Sequence, residues 1–86
     1  MASKVLYKAS IAGDLRRLDK PMARRLTEKL ERVLGANPDA GTSLTGDVRG
    51  LFRYRMGDYR VIYTKTAEGV LVLRIAHRSK VYQTIL

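Results

Sequence analysis

The chain is predicted to fold as an α+β domain, with a helical hairpin packed on one face of a mostly antiparallel four-stranded sheet in the order β-α-α-β-β-β. Three observations predict it. Apolar residues recur at helical spacing from Ile11 to Leu34, on either side of an Asp19-Lys20-Pro21 break. Three strand-like runs follow after Gly50, rich in tyrosine, valine and isoleucine. Only Gly57-Asp58 separates the first two, a spacing that suits an antiparallel hairpin.

Taken in order, Lys4–Lys8 reads as a short first strand around Val5 and Leu6. Ile11, Leu15 and Leu18 stand at i, i+4 and i+7, the pattern of a helix with one buried stripe. Pro21 suits the first turn of a second helix, where its missing amide hydrogen would have no partner anyway. Met22, Leu26, Leu30, Val33 and Leu34 form the seam of that helix, and Arg24, Arg25, Lys29 and Arg32 fill its other faces. Gly35 is the expected C-terminal cap, and Pro38 opposes continuation. The stretch 37–46 reads as loop from its proline, glycines, asparagine and hydroxyl side chains. Leu51–Met56, Tyr59–Thr64 and Val70–Ala76 are the remaining strands, with a turn at Thr66-Ala67-Glu68-Gly69 before the last. Residues 1–86 are read as one domain without repeat or linker.

Charge narrows the function classes. The formal net charge is +9, with +3 on residues 1–48 and +6 on the shorter, strand-rich remainder. Such an excess favours polyanionic partners, nucleic acid above all. Cysteine is absent, which excludes disulfides and thiolate metal sites. No histidine–carboxylate spacing suggests a metal and no glycine-rich loop suggests a nucleotide, so no cofactor is expected. The N-terminus lacks the apolar run of a signal peptide, and no stretch approaches the roughly 20 apolar residues of a membrane span. The expectation is a cytoplasmic protein with no membrane partner.

Strand alternation sorts the side chains of the basic half. Phe52, Tyr54, Met56, Tyr59, Val61 and Tyr63 are assigned to the helix-facing side. Arg53, Arg55 and Arg60 are assigned to the open face. In the last strand Leu71, Leu73 and Ile75 are expected inward, with Arg74 beside Val70 and Val72. His77, Arg78, Lys80 and Tyr82 then extend the displayed face at the chain's end. Arginine grips phosphate through a planar fork of donors, and tyrosine and histidine offer flat surfaces for unpaired bases. Histidine is also the side chain that exchanges protons near neutrality, so His77 reads either as a proton-transfer group or as a surface hydrogen-bonding group.

These residues resemble the RelE/ParE superfamily of bacterial and archaeal toxin–antitoxin toxins. The likeness spans nearly the whole chain. It includes the helical hairpin, Leu44-Thr45-Gly46 before the sheet, Gly57-Asp58-Tyr59-Arg60-Val61-Ile62-Tyr63, and the ending His77-Arg78-Ser79-Lys80-Val81-Tyr82. The RelE branch is the closer resemblance. It implies a RelE-like fold and a toxin that enters the ribosomal A site and cleaves mRNA without a metal, held in check by a cognate RelB-like antitoxin in a hetero-oligomer. By that resemblance Arg60, Arg78, Tyr82 and His77 are the candidate catalytic residues and Arg53 and Arg55 candidate RNA-binding ones; Arg74 and Lys80 join the RNA-binding set on their charge and place. Two other functions share the fold: a ParE-like inhibitor of DNA gyrase, and an inactive relic that retains only antitoxin binding. The missing carboxylate base, found in some members of the superfamily, keeps the last of these open.

Overall fold

A computed structural model describes residues 4–45 and 50–80. Its elements are β1 (Lys4–Tyr7), α1 (Ile11–Arg16), α2 (Lys20–Ala36), β2 (Thr42–Ser43), β3 (Leu51–Met56), β4 (Tyr59–Lys65) and β5 (Gly69–His77). The sheet order is β1-β5-β4-β3-β2, antiparallel throughout except for the parallel pair β1–β5. The expected α+β architecture is present with one strand more than anticipated. β2 lies inside the stretch read as loop, and its two exposed residues pair with Phe52 and Arg53 without any apolar pattern to announce them. No described helix is long and apolar enough to cross a membrane.

The helices form where their seams predict. Asp19 caps α2 by accepting the Met22 amide at 3.0 Å, and Pro21 occupies the first turn. Leu26, Leu30 and Leu34 are buried one turn apart, against Ile11 of α1 and Val61, Tyr63, Val70, Val72 and Ile75 of the sheet. Met22, at the start of the seam, stays exposed. Gly35 is not the cap. It is buried inside the last turn, and Asn37 ends the helix in an extended conformation with its amide on Val33. A residue without a side chain there serves close packing rather than chain reversal.

β3 and β4 pair directly across Gly57-Asp58, with Met56 opposite Tyr59. Of these two turn residues Gly57 alone has a positive φ, +60°, the pattern of a hairpin turn with glycine at its first central position. Phe52, Tyr54, Met56 and Tyr59 pack against the core as expected. β5 departs from simple alternation. Its partners run Ile62–Arg74 and then Tyr63–Val72, so Leu73 is an extra residue and the side-chain parity flips there. Val70, Val72 and Ile75 therefore all enter the core, whereas Leu71 and Leu73 remain half-buried. The expected inward set Leu71, Leu73 and Ile75 is corrected accordingly, and Arg74 does not share a face with Val70 and Val72.

Two tyrosines tie loops to this frame. The Tyr63 hydroxyl donates to the Pro38 carbonyl at 2.8 Å and accepts the Gly41 amide at 2.9 Å, and its ring stacks on Phe52 at 5.4 Å. Tyr7 donates to Glu31 Oε2 at 2.9 Å, joining β1 to α2. Burial pushes both phenols above their ordinary range, with the Glu31 carboxylate adding to the effect at Tyr7 and the Gly41 amide opposing it at Tyr63. A raised phenol holds its proton in the folded state where the unfolded chain releases it. That stability is complete below about pH 10 and falls as pH rises beyond it. Denaturant midpoints measured at mildly and strongly alkaline pH should therefore fall less steeply in Tyr7→Phe than in the parent.

Gly69 begins β5 with φ +155°, and a Cβ there would run into the backbone of Lys4 on β1. Backbone cannot give way as a side-chain tip can. Gly69→Ala is expected to destabilise the protein by on the order of 3 kcal/mol, read as a lowered denaturant midpoint. An unchanged midpoint would mean that β1 is not held against β5.

Candidate nucleic-acid interface

The pairing register brings three arginines together on the sheet face away from the helices. Arg55 lies opposite Arg60, and Arg53 lies opposite Ile62, the next far-face position on β4. Arg60 in turn pairs with Ala76 of β5. The chain beyond β5 stays close, because the Arg78 amide donates to the Asp58 carbonyl at 2.8 Å in the β3–β4 turn. The Arg78 and Asp58 side chains are 4.0 Å apart and both largely exposed, so that contact holds Arg78 weakly. Arg55 is exposed and Arg53 half-buried.

Arg60 was expected to stand open, and it does not. It retains only 9% of its exposure, beside a fully buried Ile62. Its Nη1 donates to the carbonyls of Gly57, at 2.8 Å, and of Tyr59, at 3.0 Å. The guanidinium is thus clamped by the turn that precedes it, with one nitrogen committed to backbone. A cation so fixed loses little freedom when an anion arrives at its remaining donors.

Arg74 is likewise no open cation. It pairs with Asp14 of α1 at 3.0 Å, and the two side chains keep 17% and 3% of their exposure. The other carboxylate oxygen of Asp14 accepts the Ile75 amide at 2.9 Å. β1 ends opposite Val72, so beyond that point β5 has no strand on this side, and Asp14 satisfies the bare edge instead. The expected RNA-binding role of Arg74 meets a charge already neutralised inside the protein.

His77 falls on the side opposite to the arginines. Its partner on β4 is Tyr59, whose ring it meets edge to face at 5.8 Å on the helix side. Its Nδ1 accepts the Ser79 amide at 3.2 Å and lies 2.9 Å from the Ser79 hydroxyl. An amide can only donate, so the neutral ring carries its proton on Nε2. His77 lines a cavity of about 550 Å³ together with Arg17, Tyr59, Arg74 and Lys80. Lys80 is exposed, with its amide on the His77 carbonyl at 2.8 Å. Tyr82, Val81 and Gly46, which the sequence singled out, lie outside the described residues.

The residue missed from sequence is Asp14. Asp14 had a readable signal, since it stands on the same stripe as Ile11, Leu15 and Leu18, where a carboxylate must find partners. Among the described residues no three histidine, cysteine, aspartate or glutamate side chains cluster as metal ligands would.

Residues 5–82 match the model of a family described as the ParE toxin of the type II toxin–antitoxin system, parDE. The chain is 37% identical to the Toxin RelE of Mycobacterium tuberculosis over 82 residues, 92% of this chain and 84% of that protein. Its fold superposes on the toxin–antitoxin complex RelBE2 of M. tuberculosis with a TM-score of 0.82 and 27% identity, covering 92% of this chain and 94% of the other. An archaeal RelE–RelB complex from Pyrococcus horikoshii gives 0.71 and 28%, covering 93% and 99%. With the family model spanning nearly the whole chain and these relatives sharing its sheet, the chain belongs to the RelE/ParE family of type II toxin–antitoxin toxins and is RelE-like within it.

Proposed function

We propose that this toxin is an endoribonuclease that enters the ribosomal A site and cleaves mRNA in the cytoplasm, and that a cognate RelB-like antitoxin neutralises it in a hetero-oligomeric complex. One observation supports this most: Arg55, the clamped Arg60 and the Arg78 backbone meet around a single hairpin turn on one face. A fixed arginine flanked by exposed ones suits a reaction in which charge builds on phosphorus. In that reaction the 2′-hydroxyl attacks the adjacent phosphorus and the bond to the 5′-oxygen breaks, leaving a cyclic phosphate and a 5′-hydroxyl. A proton leaves the 2′-oxygen and one reaches the 5′-oxygen, and no metal is required. Arg60 and Arg78 stabilise the phosphorane, while Arg53 and Arg55 hold the backbone. Tyr82 orients the ribose or stacks on a base. His77 is the proton donor where the RNA reaches over the end of β5.

The partner reading rests on relatives solved as complexes with RelB antitoxins. A surface this basic favours an antitoxin segment with acidic groups laid across it. A second reading has its own support, because the matching family model is described as a ParE toxin. Inducing the protein in cells and mapping RNA ends separates the two. Cuts inside translated reading frames, absent when translation is blocked, are expected, along with their loss in Tyr82→Phe. Gyrase-linked DNA breaks with intact messages would replace this reading with the ParE one, and antitoxin binding without either lesion would identify a relic.

A further inference from the structure

The cavity at the bare edge of β5 lies apart from the arginines that face the phosphorus in the chemistry proposed above. It opens between α1 and the ends of β4 and β5, and Arg17, Arg74, Lys80 and His77 face a single carboxylate there, Asp14. That carboxylate is already used: one oxygen holds Arg74 Nη1 and the other the Ile75 amide. Arg17 and Lys80 are exposed and have no ion-pair partner among the described residues. Arg74 is neutralised by Asp14 and adds no free charge, but its Nε is buried without a hydrogen-bond partner. Two uncompensated cations beside a concave, partly desolvated space concentrate an opposite charge.

Beyond charge, the cavity offers rings. Tyr59 and His77 meet edge to face at its margin. Because His77 Nδ1 is turned to Ser79, Nε2–H is the donor left for a ligand. His77 ends β5 and Arg78 begins the turn after it, its amide on the Asp58 carbonyl of the β3–β4 turn. A flexible strand of phosphates lying along Arg55, Arg60 and Arg78 therefore reaches this cavity by turning over the end of β5.

We infer that the cavity is a second RNA subsite, in which Arg17 and Lys80 grip a backbone phosphate next to the one at Arg60 while Tyr59 or His77 stacks on its base. The inference rests on the nuclease reading of the far face and adds the path of the strand beyond it. Single-stranded RNA fits better than an acidic peptide, which has charges to offer the cations but no planar group to offer the rings.

The test is equilibrium binding of the purified toxin to a fluorescent, 2′-O-methylated single-stranded RNA, read by anisotropy across a salt series. Arg17→Ala is expected to weaken binding about five- to tenfold and to make the salt dependence shallower by about 0.7, the share of one single-strand phosphate contact. Arg17→Lys should recover most of the affinity, which a folding defect would not allow. Arg24→Ala, an exposed cation outside both sites, should change affinity less than twofold. If Arg55→Ala weakens binding and Arg17→Ala does not, the second subsite is refuted while the far-face reading stands. If neither weakens it, both fail. Loss of affinity for an acidic peptide alone would assign the cavity to a protein partner and overturn the RNA subsite.

Discussion

Arg60→Ala is expected to lower translation-dependent mRNA cleavage by on the order of 10²–10³, the loss typical of one preorganised group facing developing charge. The expectation follows from how the side chain is held. Nη1 is bound by the Gly57 and Tyr59 carbonyls, which leaves the other donors uncommitted among the described residues. Alanine removes the cation and also strips two carbonyls of their donor, a stability loss of about 0.5–1.5 kcal/mol for each bond. That loss is a small part of the roughly 5–15 kcal/mol that keeps a domain folded, so most of the variant remains native. Arg60→Lys separates charge from shape. It keeps the cation but cannot span both carbonyls and a phosphate, so about a tenfold loss is expected. Cleavage of a translated reporter in a reconstituted system, with thermal melting in parallel, measures both effects. A well-folded Arg60→Ala that cuts within threefold of the parent would remove Arg60 from the chemistry.

The helices were legible because their information is redundant. Five seam residues of α2 recur over four turns, and shifting one of them would not change the reading. The β3–β4 hairpin was legible for a different reason: two residues between two alternating runs leave one simple register, and register decides every side chain's face. That single inference placed Arg53, Arg55 and Arg60 together. It did not foresee that Arg60 would bend back onto its own turn, since exposure depends on side-chain packing that alternation does not describe.

β5 shows where alternation stops being sufficient. The extra residue at Leu73 is invisible in Val70-Leu71-Val72-Leu73, where either parity yields an apolar face. It is the residues before the bulge that change side: Val70 and Val72 turn inward while Ile75 stays inward as expected, so Arg74 no longer shares a face with Val70 and Val72. His77 follows Tyr59 to the helix side rather than joining the arginines. The sequence did hold a clue in Asp14, a carboxylate on the apolar stripe of a short helix. Such a group must be paired with a cation or a bare amide, and the bare edge of β5 supplies both.

Asp14→Ala is expected to destabilise the toxin by about 3–5 kcal/mol, because it strands a buried arginine and a buried amide at once. On a domain of ordinary stability that approaches half of the total, so the denaturant midpoint should drop by a comparable fraction. The direction of the rescue distinguishes this from simple loss of packing. Arg74→Met alone also leaves a lone buried charge, now on Asp14. The double variant Asp14→Leu with Arg74→Met replaces the pair by apolar volume and should be more stable than Asp14→Ala, since a desolvated ion pair contributes little net stability over well-packed hydrophobes. Asp14→Asn should fall between, as its amide oxygen can still accept the Ile75 N–H while offering Arg74 no charge. If Asp14→Ala instead loses less than about 1 kcal/mol, solvent must reach the pair, and α1 would not be fastened to the β5 edge through it. The fastening has a functional side too. Asp14 is what occupies Arg74, so with the carboxylate gone and the fold intact, the cavity should hold RNA more tightly and with a steeper salt dependence. Loss of stability together with gain of RNA affinity is a combination that neither a purely structural nor a purely ligand-binding Asp14 would produce.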